Sequence, residues 1–238
     1  MIDIEQIYED FIASKQKETR KKYDEFKGWY SASSAGQCYK KQWYKIHLDE
    51  DSIIADKRVN RLLRLGTIVH KDIENAIIKY KQYNDVVETI LSEEQVRLPA
   101  LNVVGHCDLA VVHENAGKVY DFKTVHSYKW KMKFGRKPEK NSAVNYKLQV
   151  GTYALGIMDK HDVEFVDMSI LWYKKDDSML REEKLDNDFI GYAVDYWSDL
   201  HDTIKDMTNE DELIRDISAN TPVMDWECKY CNYQQRCK

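Results

Sequence analysis

The sequence predicts an α/β fold in which a mixed central sheet is flanked by helices. Helical patterns fill the first 80 residues, and short runs of aliphatic and β-branched residues alternate with further helical patterns in the rest. With 238 residues and 43% apolar content, the chain can bury a substantial core. It has only three prolines and neither a repeat nor a low-complexity segment, so we expect one domain over 1–238.

Three helices are expected before residue 84. Apolar residues at helical spacing, continued by a charged stretch, predict a helix over 4–27. Serines between 31 and 34 can cap a short second helix that carries Cys38 in its first turns. A long amphipathic pattern over 56–80 predicts the third helix.

After residue 84 the pattern changes to short runs rich in valine, isoleucine and leucine, which are typical of strands. Residues 114–117 supply a turn, so the strands on either side of it should form an antiparallel hairpin. We expect strands at 86–98, 103–112, 119–125, 163–173 and 179–185, and helices at 143–158 and 188–217.

The predicted hairpin carries charged residues that need partners, because an unpaired buried charge is costly. If His113 faces Lys118 across the turn, Asp108 lies opposite Lys123. Side chains alternate between the two faces of a strand, so Asp108, Asp121 and Lys123 then project from one face. Two adjacent carboxylates repel each other unless a cation lies between them. A divalent-metal site and a salt-bridged Asp–Lys pair explain these three residues about equally well.

Two helical pairs favour the metal site. His70 and Glu74 lie one turn apart on the long helix, so the imidazole could be a further ligand and the carboxylate its partner. Gln149 and Tyr153 have the same spacing on the later helix and could both face a phosphate or a base. Each pair taken alone is common in structural roles.

A basic and aromatic stretch precedes that later helix. The net charge of −5 gives no general attraction to nucleic acid, so any binding surface must be local. The stretch could follow a phosphate backbone and offer stacking surface for bases, although a solvated loop is the more ordinary interpretation of a charge run. Its candidate nucleic-acid contacts are Lys129, Trp130, Lys131, Lys133, Arg136 and Lys137.

Five cysteines, an odd number, argue against a disulfide framework. Cys228, Cys231 and Cys237 form a C-x2-C-x5-C arrangement that would leave exposed thiols if it bound nothing. Four thiolates suit a structural zinc or a 4Fe-4S cluster, and spacing does not separate these alternatives. Cys107 points to the opposite strand face from Asp108, and we interpret it as a small core residue.

The ordered motifs resemble the RecB-like branch of the PD-(D/E)XK nuclease superfamily. These motifs are 66–70, 105–108 and 121–123, with Gln149 and Tyr153. Cys38, followed far along the chain by the three C-terminal cysteines, resembles the cluster ligands of the CRISPR-associated iron-sulfur exonucleases. The resemblance implies a restriction-endonuclease-like mixed sheet in a nuclease core at 56–186. Helical parts at 1–55 and 187–238 would be joined by a 4Fe-4S cluster.

The resemblance also implies roles for single residues. His70, Asp108 and Asp121 would bind Mg²⁺ or Mn²⁺, with the backbone carbonyl of Phe122 as a further ligand. Lys123 would orient and help activate the attacking water, and the glutamine–tyrosine pair would position the substrate. The iron-sulfur ligands would be Cys38, Cys228, Cys231 and Cys237.

We therefore expect a metal-dependent deoxyribonuclease, more an exonuclease than an endonuclease, that acts on single strands or free ends in repair, recombination or replication. A catalytically inactive DNA-binding module of the same fold is the alternative, and an iron-sulfur redox or sensor protein is a third hypothesis. The expected partners are DNA, further copies of the chain, and recombination or replication proteins. An acidic N-terminus and the lack of a run of roughly 18 apolar residues predict a soluble cytoplasmic protein with no membrane association.

Overall fold

The computed structural model describes residues 2–48, 57–84, 87–139, 143–216 and 227–237. The helices are α1 (Ile4–Tyr23), α2 (Tyr39–His47), α3 (Lys57–Tyr83), α4 (Ser127–Phe134), α5 (Val144–His161), α6 (Asp188–Ile204) and α7 (Glu210–Asp216). The strands are β1 (Tyr30–Ser31), β2 (Thr89–Leu98), β3 (Val103–His113), β4 (Ala116–Val125), β5 (Phe165–Lys174) and β6 (Met179–Lys184). None of the helices within these ranges has both the length and the apolarity that a bilayer crossing requires.

The strands form one mixed sheet with β3 inside it. β2 pairs antiparallel along one edge of β3. The other edge is shared, with β1 running parallel beside Val103 and Val104 and β4 antiparallel beside residues 109–113. β4 and β5 are parallel, and β6 pairs antiparallel with β5. The predicted mixed sheet with flanking helices is therefore confirmed.

The register of the β3–β4 hairpin differs from the prediction by two residues. Only Glu114 and Asn115 separate the two strands, so His113 pairs with Ala116 and not with Lys118. Glu114 has a left-handed φ of 51°, which two-residue hairpin turns commonly require. The predicted pairing is wrong, but a two-residue shift leaves every side chain on its predicted face because the strand alternation has a period of two.

Two helix predictions also need correction. Cys38 directly precedes α2 instead of lying in its first turns, and the serines expected to cap this helix are in or next to a separate 3-10 turn at Ala32–Ser34. The basic stretch, whose ordinary interpretation is a loop, is helical up to Phe134. The predicted termini at Asp56, Val86 and Ile217 lie outside the described residues.

Helix α5 lies in the core, packed against β2 to β5 and against α6. Two glycines permit this close packing. A Cβ at Gly151 would overlap the backbone carbonyl of Phe189 in α6, and a Cβ at Gly156 would overlap the side chain of Val96 in β2. The largest fully buried side chains of the described residues include Trp172, Trp197, Tyr44 and Phe122.

Helix α2 connects the N-terminal part of the chain to its C-terminal part. The indole Nε1 of Trp43 donates a hydrogen bond of 2.9 Å to the carbonyl of Met207. The ring of Tyr44 stacks on Tyr233, with the ring centroids 4.9 Å apart. The residue that precedes α2, Cys38, is thereby held close to the C-terminal tail.

Candidate active site

Three carboxylates lie side by side across the sheet. The β2–β3 register is the same on both sides of Glu93, so Glu93 lies opposite Asp108. The β3–β4 ladder ends at the pair Leu109–Tyr120. Beyond it, the Phe122 N–H next to Asp121 donates a hydrogen bond to Asp108, and Asp108 raises the pKa of Asp121, so these two carboxylates are neighbours. Asp108 raises the pKa of both Glu93 and Asp121, so these three residues, one on each of β2, β3 and β4, are neighbouring carboxylates with Asp108 in the middle. We refer to these three residues as the acid row.

Helix α3 adds an imidazole and a fourth carboxylate. His70 Nδ1 lies 3.9 Å from Asp108 Oδ2. Glu74 is 4% exposed and accepts a hydrogen bond of 2.7 Å from Lys71. Burial, followed by the nearby Lys123 ammonium, lowers the pKa of His70. The imidazole is therefore neutral at pH 7, which leaves a nitrogen lone pair available to a metal ion.

Asp121 and Lys123, two residues apart on β4, form a close ion pair. Lys123 Nζ lies 2.7 Å from Asp121 Oδ1 and 2.6 Å from Oδ2. Asp121 is 1% exposed, and within the described part of the chain its Oδ2 receives no well-aligned hydrogen bond. Burial raises the pKa of Asp121 to about 6, Asp108 adds to this rise, and Lys123 opposes it. Oδ2 is thus close to the Lys123 ammonium without an aligned hydrogen bond, and this oxygen of a buried carboxylate has capacity for a metal cation as well.

Asp108 is held by the backbone of the adjacent strand. The N–H of Phe122 donates a hydrogen bond of 2.6 Å to Asp108 Oδ2. Burial raises the pKa of Asp108, although Lys123 and this hydrogen bond both lower it. The Phe122 ring meets the His70 imidazole edge-on, with the centroids 5.8 Å apart. Phe122 therefore contacts two of the expected metal ligands, one through its backbone and one through its ring.

Sequence reasoning did not identify Glu93. Its φ of 51° lies in the left-handed region in the middle of β2, a strained conformation for a non-glycine residue that is often found at functional sites. Glu93 as a whole is exposed, but partial burial of its carboxyl group, followed by Asp108 and Glu74, raises its pKa to about 7. Antiparallel counting from Asp108 across to the preceding strand could have found it.

Gln149 and Tyr153 lie one turn apart on α5, and they contact each other. Gln149 Nε2 donates a hydrogen bond of 2.7 Å to the Tyr153 hydroxyl, and the two residues are 5% and 3% exposed. The pKa of Tyr153 is raised by burial and then by Asp121 and Asp108, so its hydroxyl lies within their electrostatic influence. The pair is next to the acid row but has little surface open to a substrate.

A cleft of about 1130 Å³ opens beside the acid row. Its wall on the α3 side is partly apolar and includes Leu62 and Leu63, which are 45% and 61% exposed. Lys175 Nζ donates a hydrogen bond of 3.2 Å to the Leu62 carbonyl. The polar lining includes His70, Lys71, Glu74, Glu93, Lys123 and Lys175. A phosphate group in this cleft would therefore meet both cations and carboxylates.

The basic stretch divides into structural and exposed residues. Lys133 is ion-paired at 2.7 Å to a glutamate of β6. The rings of Trp130 and Phe134 pack against each other with centroids 4.8 Å apart. Lys129 Nζ lies 5.8 Å from the ring centroid of Tyr146. The residues of the stretch that remain exposed are Lys131, Arg136 and Lys137.

The four cysteines assigned to the cluster lie around the junction of α2 and the C-terminal tail. Cys38 is buried, Cys228 is exposed, and Cys231 and Cys237 are partly exposed. The pKa of Cys237 is raised by burial and then by Cys38, Cys231 and Cys228, so the four thiols lie within electrostatic range of one another. Cys107 is fully buried in the hydrophobic core, as the sequence predicts.

No metal site is already formed among the described residues: no three or more histidine, cysteine, aspartate or glutamate side chains have the required arrangement. The acid row and the neighbouring His70 nevertheless suit a hard divalent cation, because together they combine carboxylate oxygens with one neutral imidazole. The raised pKa values of Asp108 and Asp121 indicate that Lys123 does not fully offset their burial and mutual repulsion.

Residues 6–238 match the PD-(D/E)XK nuclease superfamily. Among solved structures, SSO0001 aligns with a TM-score of 0.58 at 17% identity, over 98% of this chain and 97% of that one. This likeness supports the fold. An alkaline exonuclease from Laribacter hongkongensis gives a TM-score of 0.44 at 12% identity, over 77% of this chain and 91% of that one. The complex of that exonuclease with dAMP gives a TM-score of 0.43 at 12% identity, over 76% of this chain and 89% of that one. A comparison with curated proteins gives no match.

Proposed function

This chain belongs to the PD-(D/E)XK nuclease superfamily, and we propose that it is a metal-dependent deoxyribonuclease that hydrolyses phosphodiester bonds at the acid row. The supporting observation is one cluster: the carboxylates of the acid row have raised pKa values and lie beside Lys123 and His70. Glu93, Lys123 and His70 line the adjoining cleft. Titratable groups whose pKa values are perturbed by burial and by each other, and which border a cleft, are typical of catalytic sites.

We assign a divalent cation, Mg²⁺ or Mn²⁺, to His70, Asp108 and Asp121, with the backbone carbonyl of Phe122 as a further ligand. When bound, such a cation lowers the pKa of a coordinated water and stabilises negative charge on the phosphate. The two aspartates supply the charge that attracts the cation. The neutral imidazole favours Mn²⁺ relative to a site made of oxygens alone.

Lys123 would orient the attacking water and help to activate it. Its ammonium is charged at pH 7, because Asp121 and Asp108 raise its pKa against the effect of burial. It has three N–H donors, so it can contact a phosphate oxygen or the attacking oxygen as well as Asp121. Gln149 and Tyr153 would position the substrate indirectly: their side chains are buried beneath the acid row and would hold its carboxylates in place.

DNA is the proposed substrate, cut as single strands or at free ends, and exonucleolytically more than endonucleolytically. The exposed residues Lys131, Arg136 and Lys137 would contact the phosphate backbone near the cleft. Such an activity fits repair, recombination or replication in the cytoplasm. Further copies of the chain or recombination and replication proteins would then be its partners.

We also propose that Cys38, Cys228, Cys231 and Cys237 bind a 4Fe-4S cluster. Their clustering at the α2 junction supports this, since thiols that raise each other's pKa gain from a metal that binds their deprotonated forms. Anaerobically purified Cys231→Ala protein should be colourless or insoluble, and iron and zinc analysis of the wild type separates a cluster from structural zinc. A folded, coloured and iron-loaded variant would rule out Cys231 as a ligand.

The nuclease proposal is tested by digestion of end-labelled single-stranded and duplex DNA with Mg²⁺, Mn²⁺ or chelator. Wild type should cut in a metal-dependent manner, and Asp121→Ala should not. Asp202→Ala is the matched control, because it removes an exposed carboxylate at a surface ion pair of α6. Binding without cutting by well-folded wild type under all conditions would instead support an inactive DNA-binding module.

A further inference from the structure

The ring of Tyr146 lies against the ammonium of Lys123. Tyr146 is in the first turn of α5, and Lys123 Nζ is 5.0 Å from its ring centroid. The same ring is 5.8 Å from Lys129 Nζ, so one aromatic side chain lies between a lysine of the acid site and a lysine of α4. Cations at these distances are attracted to the negative face of an aromatic ring.

The core fixes this ring. Tyr146 meets Trp172 at an angle of 61°, with the ring centroids 5.8 Å apart. Trp172 is fully buried, lies beside Lys123 in the β4–β5 register, and donates a hydrogen bond of 2.9 Å from Nε1 to Glu183. Movement of the Tyr146 ring would therefore disturb a packed indole. The ring is a rigid surface against which a flexible side chain can rest.

Lys123 needs such a surface, because its charged group is carried on a flexible four-carbon stem. The Asp121 carboxylate contacts this ammonium through both oxygens, at 2.6 and 2.7 Å. A carboxylate alone leaves the ammonium free to rotate about the contact. A ring that approaches from a second element, α5, restricts that rotation.

The hydroxyl of Tyr146 is not the group that this contact uses. Burial raises the pKa of Tyr146, Lys123 lowers it and Asp121 raises it, with a net rise, so the phenol is neutral at pH 7. The contact with Lys123 is made by the ring face. Phenylalanine at this position would keep that face, whereas leucine would keep most of the apolar volume and lose the ring.

We propose that Tyr146 is a positioning residue for Lys123: its ring holds the ammonium at the acid row and so sets the rate of phosphodiester cleavage. This inference rests on the proposed nuclease function. It assigns Tyr146 a role that acts through Lys123 and not through direct contact with the scissile phosphate.

The first test compares variants at saturating Mn²⁺ on single-stranded DNA. Tyr146→Phe should keep kcat within about two-fold. Tyr146→Leu should lower kcat by about three- to thirty-fold, the range of a partly buried cation–π contact, with KM changed less than two-fold. Tyr128→Leu, which removes an exposed tyrosine of α4, is the control and should match wild type.

A fluorinated series separates the electrostatic role from simple packing. Phenylalanine with one, two or three fluorines at position 146 progressively weakens the negative ring face at nearly constant volume. We expect kcat to fall with each added fluorine while Tm stays within about 2 °C of the Tyr146→Phe protein. A constant kcat across the series would overturn the positioning role.

A second readout does not depend on catalysis. In metal-free protein, NMR of selectively labelled lysine should show the Lys123 ε-methylene protons shifted upfield by the Tyr146 ring, and Tyr146→Leu should remove that shift. A Lys123 signal that is the same in both proteins would refute the contact. Wild type that shows the shift but cuts no DNA would refute the proposed nuclease function, and the positioning role with it.

Discussion

Raising the pH should lower the free energy of unfolding of the metal-free protein, because Asp121 loses its proton. The pKa of this buried carboxyl is raised from 3.8 to about 6, so the folded protein holds the proton more strongly than the unfolded chain does. The resulting stabilisation is fully present below the unfolded pKa and is lost as the pH rises through the folded pKa. The loss therefore begins near pH 4 and is largely complete above pH 6.

The magnitude follows from the same pKa values. Each unit of difference between the folded and unfolded pKa values corresponds to about 1.36 kcal/mol of stability. Part of this stability has already been lost at pH 5. Between pH 5 and 7.5 the free energy of unfolding should fall by about 1.4 kcal/mol through Asp121 alone. For a chain of this length that corresponds to a decrease in Tm of roughly 3 to 5 °C.

The assay is thermal unfolding of the chelated protein between pH 5 and 7.5, with Asp121→Asn as the control. The amide is nearly isosteric and does not titrate, so the difference in Tm between variant and wild type should grow with pH by this amount. Saturating Mn²⁺ should restore wild type at pH 7.5, because the cation binds the ionised carboxylate. Parallel Tm curves for the two metal-free proteins would refute the reasoning.

Three further predictions concern the acid row, the core and the DNA surface. Glu93→Gln should raise the Mn²⁺ concentration needed for half-maximal cutting by about ten-fold. Glu94→Gln, on the other strand face, should leave that concentration unchanged. The same half-maximal Mn²⁺ concentration in both variants would exclude Glu93 from the metal site. Gly151→Ala should lower the free energy of unfolding, measured by urea titration, by about 3 kcal/mol or more, because the added Cβ overlaps backbone atoms of Phe189. In the control variant Gly191→Ala the added Cβ meets open space, so its stability should be unchanged or higher. Lys131→Ala should reduce the salt dependence of DNA affinity by about one phosphate contact, measured by fluorescence anisotropy, and an unchanged slope would exclude it from the interface.

Strands β2 to β5 were predictable from runs rich in aliphatic residues, and β6 from its short apolar start. The two-residue strand β1, Tyr30–Ser31, was not predicted. The acid site followed from strand alternation. The register itself was not predictable. It depends on whether the turn contains two residues or four, and Glu114 adopts a left-handed conformation that few non-glycine residues favour. Asp108, Asp121 and Lys123 nevertheless converge, because the error was an even number of residues.

The role of Glu93 and the helical structure of α4 were not predicted from the sequence. Glu93 joins the acid row through the β2–β3 register, and the charge pattern of β2 alone does not distinguish it from the adjacent Glu94. The basic stretch is a helix because Trp130 and Phe134, four residues apart, pack together and Phe134 also contacts the buried Trp172. That spacing was visible, but the density of lysines favoured a solvated segment. Tertiary packing determines the helix despite the many lysines, since the lysines can point outward while the aromatic rings pack inward.

The buried Gln149–Tyr153 pair changes how the site is understood. Residues at this spacing were expected to face the substrate, yet they satisfy each other in the core beneath the acid row. A buried amide and phenol that are hydrogen-bonded to each other can fix the position of neighbouring groups without contacting DNA. Their substitution would then affect the placement of Asp121 and Asp108 as much as any contact with a substrate.

The junction between the two ends of the chain does not depend on the cysteines alone. Tyr44 donates a hydrogen bond of 3.1 Å to Glu210 and stacks on Tyr233, and Trp43 is hydrogen-bonded to the carbonyl of Met207. These contacts hold Cys38 near the C-terminal thiols through protein packing. A cluster that joins Cys38 to the C-terminal cysteines closes a loop of most of the chain, which costs conformational entropy, and this packing already offsets part of that cost. A 4Fe-4S cluster would then add stability to an existing junction, and its loss should loosen the C-terminal tail before it disturbs the acid row.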